Sequence, residues 1–166
     1  PGHFNVLYDK AAIKDSFVSL ANRYALIHLA THASLGDAPG QQFIQFYPLQ
    51  GSIASQRLYI PEIYNLDLRH ARLIILSACE TSGGNPISGE GLLSLSRAFI
   101  YAGSEGIIAT LWKTEDKIAS YLMKKLHHYL QRQYEPARAL HLAKRDLLND
   151  PSISVRYKTP NYWSNF

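Results

Sequence analysis

The stretch YALIHLA at residues 24–30 gives the first indication of the fold, because it is a nearly continuous apolar run with the length of a β-strand. Two further stretches have the same character, LIILSA at residues 73–78 and GIIATL at residues 106–111. Continuous apolar runs are typical of strands buried on both faces, as in a parallel sheet. We therefore predict three parallel strands at the centre of the domain.

Helical patterns separate the predicted strands. Leu92, Leu95 and Phe99 form the inward stripe of one helix, and two amphipathic helices occupy the last third of the chain. Strand and helix alternate with crossovers of a length that predicts an α/β sandwich with a mostly parallel sheet. Residues 43–47 and 57–60 are predicted to pair as a small hairpin outside the main sheet.

Size and composition exclude several classes of protein. The 166 residues suit one domain, and 46% hydrophobic against 18% charged residues exclude intrinsic disorder. No apolar run is long enough to cross a bilayer, and no signal-peptide pattern opens the chain. The single cysteine, Cys79, excludes an internal disulfide and suits a reducing compartment. We expect a cytoplasmic domain without membrane contact, and Pro1 in place of Met indicates a fragment of a longer protein.

The net charge of +4 is unevenly distributed along the chain. Residues 117–166 carry nine Lys and Arg against three Asp and Glu, whereas residues 1–116 carry eight against ten. A basic third of a chain can face nucleic acid or acidic protein, or it can be a solvated helical face. We favour the solvated face and expect no nucleic-acid partner, because no recognised binding motif accompanies the charge.

Two residues with useful chemistry follow buried strands, His32 after the first and Cys79 after the second. Ligands of open parallel sheets bind at the carboxyl ends of strands, and neighbouring strands about 4.8 Å apart would bring the two side chains within reach. A thiolate attacks a carbonyl, while an imidazole promotes thiolate formation and protonates the leaving amine. Cys79 and His32 are therefore the candidate nucleophile and general base. The backbone N–H groups of Ala33 and Cys79, expected in tight turns, are candidates for binding the oxyanion.

Other interpretations of these residues stay open at this point. A lone cysteine in an apolar strand is commonly a small buried hydrophobe, and a lone histidine a hydrogen-bonded polar group. His28 and His32 share one face of an extended strand but lie about 13 Å apart, so no metal site is predicted. The glycine-rich loop at residues 83–91 opens a helix, but it lacks the P-loop lysine and a GxGxxG pattern. Nucleotide or phosphate binding is kept as a minor alternative.

Six short motifs follow one another along the chain. They are HLATH at 28–32, LSACET at 76–81, GEG at 89–91, AFIYAG at 98–103, LW at 111–112 and PNYW at 160–163. From about Tyr24 to its end the chain thereby resembles the CHAT domain, a family placed with the caspase-like and separase-like cysteine peptidases. The resemblance implies a caspase-like three-layer sandwich. It also implies that this chain is the C-terminal part of the domain and lacks the N-terminal strands.

The resemblance further implies peptide-bond hydrolysis by a His/Cys dyad of His32 and Cys79, with no cofactor and with a protein or peptide substrate. Regulation by attached tetratricopeptide-like repeats is implied as well. Members of the family typically have Gly after the histidine, where this chain has Ala33. The first hypothesis is a cysteine endopeptidase, and the second is a catalytically silent CHAT-like module for protein interaction or signalling. Thr31 and Ser77 are predicted to orient the dyad by hydrogen bonding.

The loops after the three predicted strands carry more negative than positive charge. Among their carboxylates, Glu80, Glu115 and Asp116 are candidate substrate-binding residues. They favour a basic residue at the cleavage site, and Asp116 is the first choice for the pocket floor. The alternative interpretation is that Glu115 or Asp116 caps the helix expected to begin near Lys117.

Overall fold

A computed structural model describes residues 5–34, 41–48, 53–77, 79–80, 89–112 and 115–166, with the backbone alone described at residues 79, 80 and 89–91. The chain divides into two compact units, Pro1–Ala109 and Thr110–Phe166. In the first unit strands and helices follow one another, whereas the described part of the second unit contains helices and turns.

The bounds of the elements follow the chain. The strands are β1 (Leu26–Leu29), β2 (His32–Ser34), β3 (Phe43–Gln45), β4 (Arg57–Tyr59), β5 (Leu73–Leu76), β6 (Cys79–Glu80) and β7 (Ile107–Ala109). The α-helices are α1 (Lys14–Leu20), α2 (Ile60–Ile63), α3 (Gly89–Tyr101), α4 (Asp116–Gln131) and α5 (Pro136–Asn149). Short 3-10 helices occupy Asp9–Ala11, Ala21–Arg23, Ala54–Gln56, Val155–Lys158 and Pro160–Tyr162.

The predicted parallel sheet is confirmed, with the strand order β1-β5-β7. Both β1 and β7 run parallel to β5, so that Ile74 lies in register with Ile27 and with Ile107. All four residues of β5 are buried, as the apolar run at this position predicts for a strand covered on both faces. The α/β class inferred from the sequence is therefore the observed one.

A second sheet has the order β4-β3-β2-β6. The antiparallel pair of β3 and β4 confirms the predicted hairpin, and β3 also pairs antiparallel with β2. The strand expected at residues 24–30 ends earlier than predicted, at Leu29, and the chain resumes an extended course at His32 in this other sheet. A single stretch of sequence thus contributes one strand to each sheet.

The core of the first unit includes the inward face of α3. Leu92, Leu95 and Phe99 are buried as predicted, and the helix contacts β7 and α2. The helix ends at Tyr101, two residues before Gly103, whose φ of +110° is unfavourable for any residue with a Cβ. A Cβ at this position would also lie 2.8 Å from Cγ of Arg69, which leaves no room for a side chain.

The second unit is organised by the contact between α4 and α5. Ile118, Leu122 and Leu126 are fully buried along α4. Polar contacts link the two helices as well, because the Asp146 carboxylate accepts a hydrogen bond from the Tyr129 hydroxyl at 2.9 Å and pairs with Lys125 at 3.0 Å. No helix among the described residues is long and apolar enough to cross a membrane.

Candidate functional site

His32 and Cys79 are direct register partners in neighbouring parallel strands. The pairing of β2 with β6 sets His32 opposite Cys79 and Ala33 opposite Glu80. Neighbouring strands lie about 4.8 Å apart, so the two backbones run side by side at this point. The His32 side chain is exposed to solvent. The two residues singled out from the sequence therefore meet at one place in the first unit.

Hydrogen bonds hold β2 on both sides of His32. On its other edge, β2 pairs with β3, where His32 lies opposite Gln45. The Thr31 hydroxyl donates a hydrogen bond to the Gln45 carbonyl, which ties the residue before His32 to the hairpin. Ser77 forms its hydrogen bond with Nε2 of His28 at 2.8 Å, and its backbone N–H donates to the Leu29 carbonyl at 3.0 Å. Thr31 and Ser77 thus fix the strands around the site, and a direct bond from either to His32 is not among these contacts.

The backbone environment of Ala33 differs from the expectation. Ala33 and Cys79 were predicted to lie in tight turns, but both lie in strands, where Ala33 is paired with Ile44 and Glu80. The Ala33 side chain is only 4% exposed. Among the described non-glycine residues, Asp9 and Gln133 alone have a positive φ, so Ala33 has an ordinary extended backbone. A glycine is therefore not required here, and the binding of an oxyanion by these N–H groups stays a prediction.

A cavity of about 420 Å³ opens beside His32, and the sequence did not reveal it. Its lining includes Phe17, Leu26, His28 and Phe46 as well as His32. The apolar residues of α1 predict that one face of this helix is buried. They do not predict a cavity, because the cavity forms where segments far apart in the chain meet.

The acidic candidates belong to different units of the chain. The backbone of Glu80 lies beside Ala33 in the first unit, whereas Glu115 and Asp116 belong to the second unit. The helix predicted to begin near Lys117 begins at Asp116, whose carboxylate therefore lies in the first turn, where the helix dipole favours a negative charge. Glu115 at the N-cap position makes no capping hydrogen bond with its side chain. The predicted capping role of Glu115 is therefore wrong.

The Glu115 carboxylate is held by residues near the end of the chain instead. It accepts a hydrogen bond from the Tyr157 hydroxyl at 2.6 Å and lies 3.5 Å from the Arg156 guanidinium. The hydrogen bond to this carboxylate raises the pKa of Tyr157. A part in substrate binding for Glu80, Glu115 and Asp116 stays a prediction.

The described residues contain no group of three or more His, Cys, Asp or Glu side chains that could hold a metal ion. Most of the glycine-rich loop that raised phosphate binding, residues 83–88, lies outside the described residues. Neither ligand class gains support from a described contact.

Comparison with known proteins extends the resemblance found in the sequence. The family model of the CHAT domain matches residues 1–166, the whole chain, and so includes the segment before Tyr24. No curated protein matches the chain. The fold agrees with this match, because an α/β domain with a parallel sheet is what the resemblance implied. The chain therefore belongs to the CHAT domain family, which is related to the caspase-like peptidases.

Proposed function

We propose that the chain is a cysteine peptidase domain in which Cys79 is the nucleophile and His32 the general base and acid. The observation that carries the proposal is the register of β2 and β6, which sets these two residues side by side. Membership of a family related to caspase-like peptidases adds the substrate class, a peptide bond in a protein or peptide. The exposure of His32 supports the proposal further, because a substrate in solvent has access to its imidazole.

The reaction proceeds in two steps. The His32 imidazole takes the proton of the Cys79 thiol, and the thiolate attacks the peptide carbonyl to form a C–S bond. The C–N bond breaks, and the imidazolium returns its proton to the leaving amine. Water, deprotonated by His32, then attacks the thioester, and the products are a carboxylate and the regenerated thiol. The backbone N–H groups of Ala33 and Cys79 are the proposed donors to the tetrahedral oxyanion.

The rigidity of the strand that carries His32 supports this chemistry. The strand β2 is paired on both edges, and Thr31 is bonded to the hairpin. A catalytic group that is already in place avoids the loss of orientational freedom during the reaction, which contributes strongly to rate.

The first experiment measures whether the thiol is primed. Because Cys79 is the single cysteine, the rate of alkylation by iodoacetamide reports on this residue alone. We expect the midpoint of the pH–rate curve to lie below the ordinary thiol pKa of about 8.5 and to return towards it in His32→Ala. His70→Ala is the matched control, since His70 is also an exposed histidine of the first unit. An unchanged midpoint in His32→Ala would contradict the dyad.

The second experiment measures peptide hydrolysis. A peptide library derived from a proteome is incubated with wild type and with Cys79→Ala, and new termini are identified by mass spectrometry. We expect cleavage by wild type and none by the variant. A primed thiol without cleavage would instead favour the silent CHAT-like interaction module. The regulatory partner that we propose, on the family resemblance alone, is a tetratricopeptide-like repeat segment of the full-length protein.

A further inference from the structure

The two chain segments that contain His32 and Cys79 pass from the β1-β5-β7 sheet to the other sheet with the same register. Leu29 of β1 lies opposite Leu76 of β5, and His32 of β2 lies opposite Cys79 of β6. Both segments therefore advance by the same number of residues between the two sheets. The pairing that sets the candidate dyad side by side is thus a continuation of the pairing between β1 and β5.

The described pairing of β2 with β6 is short. It has two register positions, His32 opposite Cys79 and Ala33 opposite Glu80. The strands β1 and β5 pair over four positions, and all four residues of β5 are buried. A slip of one residue in β6 would move the Cys79 backbone by about 3.3 Å and turn its side chain to the opposite face of the sheet. The register at Cys79 therefore depends on the longer pairing of β1 with β5.

A hydrogen bond between His28 and Ser77 lies where the two segments leave the β1-β5-β7 sheet. Ser77 directly follows β5, and its N–H extends the ladder by donating to the Leu29 carbonyl at 3.0 Å. Its hydroxyl shares a hydrogen bond of 2.8 Å with Nε2 of His28. Ser77 lies two positions beyond Ile75, the register partner of His28, so the two side chains share one face of the sheet. The bond therefore holds the segment just before Cys79 to β1.

Both partners of this bond are suited to hold a fixed position. Ile27 and Leu29, on either side of His28, are buried, so the backbone that carries the imidazole is anchored in the core. His28 and Ser77 are themselves half-buried, where a hydrogen bond is stronger than in open water. A hydroxyl both donates and accepts, so the bond can form with the imidazole neutral or protonated.

We propose that His28 is a positioning residue for the nucleophile, and that its hydrogen bond to Ser77 maintains the register that sets Cys79 opposite His32. The inference rests on the proposed peptidase function and adds to it a residue outside the dyad. His28 acts through Ser77 in this role and takes no part in the bond-making steps. Loss of the bond lets the Cys79 segment shift against β2, and a misplacement of about 1 Å can lower a reaction rate by about a hundredfold.

The first test measures the reactivity of Cys79 when one partner of the bond is removed. His28→Leu and Ser77→Ala each delete the bond. We expect the midpoint of the pH–rate curve for alkylation by iodoacetamide to rise in both variants, towards the value in His32→Ala. The double variant should show no larger rise than either single variant, because the same bond is lost in each. Additive rises, or unchanged midpoints beside a clear rise in His32→Ala, would overturn the inference and leave the dyad standing.

Ser104→Ala is the matched control for the loss of a hydrogen-bonded hydroxyl. The Ser104 hydroxyl donates to the Gly106 carbonyl at 2.9 Å, just before β7, which pairs with the edge of β5 away from β1. This change should lower the free energy of unfolding of the first unit without changing the alkylation midpoint. The same rise in midpoint in Ser104→Ala and Ser77→Ala would overturn the inference, because it would reflect a general loosening of the unit.

Conservative variants separate positioning from packing. The amide of Gln reaches about as far as Nε2 of histidine, so His28→Gln can form the bond again, and Ser77→Thr keeps the hydroxyl. We expect both variants to return the midpoint towards the wild-type value. In peptide hydrolysis, His28→Leu should lower kcat by about tenfold or more and change KM little, because a displaced nucleophile affects the reaction and not the binding. A higher KM with unchanged kcat would overturn the positioning role.

A direct measurement of register separates this inference from the proposed function. In isotope-labelled protein, nuclear Overhauser effects between backbone protons of β2 and β6 report the pairing of His32 with Cys79. We expect these effects in wild type and in Ser104→Ala, and their loss in Ser77→Ala and His28→Leu. That result supports the positioning role even if wild type cleaves no peptide, in which case the peptidase proposal alone fails. Effects that stay unchanged in Ser77→Ala and His28→Leu overturn the positioning role, and cleavage by wild type would then leave the peptidase proposal standing.

Discussion

Replacing Ala33 with glycine tests the strand geometry of the candidate site most directly. Ala33 is 4% exposed, has an extended backbone and lies between Ile44 and Glu80 in the second sheet. In such a strand, glycine costs about 0.5–1 kcal/mol through backbone entropy. Loss of the buried methyl group costs about 0.8 kcal/mol more. We therefore expect Ala33→Gly to lower the free energy of unfolding of the first unit by about 1.5 kcal/mol.

The assay must report on the first unit, and the tryptophans do not, because Trp112 and Trp163 both belong to the second unit. Hydrogen exchange measured by mass spectrometry on peptides that contain β2 and β3 gives the local free energy of opening. Calorimetry should show a Tm lower by about 6 °C, at about 4 °C per kcal/mol for a unit of this size. The midpoint of the pH–rate curve for alkylation of Cys79 should be the same in Ala33→Gly as in wild type. A higher free energy of unfolding, or faster alkylation of Cys79, in Ala33→Gly would refute the extended strand geometry at residue 33 and favour the tight turn predicted from the sequence.

Two further predictions concern the core and the pH dependence. Phe99→Ala should destabilise the first unit by about 3–5 kcal/mol, whereas Leu93→Ala, at a 48% exposed position of the same helix, should change the free energy of unfolding by about 0.5 kcal/mol or less in chemical denaturation. Hydrogen bonds from Ser152 and Tyr121 lower the pKa of Asp150 from 3.8 to about 2. Because the folded pKa is the lower one, the contribution of Asp150 is present above pH 3.8 and lost as the pH falls to about 2, so Asp150→Asn should flatten the acid limb of a stability–pH curve.

The sequence predicted the elements whose pattern is local. The apolar run at β5 predicts a strand buried on both faces, whatever its neighbours are. The spacing of Leu95 and Phe99 predicts a helix with one face towards the core. The hairpin of β3 and β4 is likewise local, since only eleven residues of sequence separate the two strands. The placement of His32 and Cys79 was predictable in outline, because parallel strands of one sheet place their carboxyl ends at the same edge.

The features that the sequence missed depend on contacts between distant segments. The break between Leu29 and His32 follows from the pairing of β2 with the hairpin, which the apolar run does not encode. The cavity arises where the segment before α1 meets the end of β3. Capping by Glu115 was predicted wrongly because Tyr157, far along the chain, donates a hydrogen bond to the Glu115 carboxylate. Sequence patterns report local preference, and these three features follow from tertiary contacts.

The register of β2 against β6 also has a consequence for the order in which the molecule acquires reactivity. The hairpin closes a short loop, but His32 and Cys79 are joined only after the chain between them, which includes β3, β4 and β5, has folded back. Closing such a long loop costs more chain entropy than closing the hairpin. The β2–β6 pairing is therefore expected to form late, after the local contacts. A chain still being synthesised, or one unfolded by stress, holds its thiol and imidazole apart. Any chemistry that needs both residues is therefore withheld until β2 and β6 have paired.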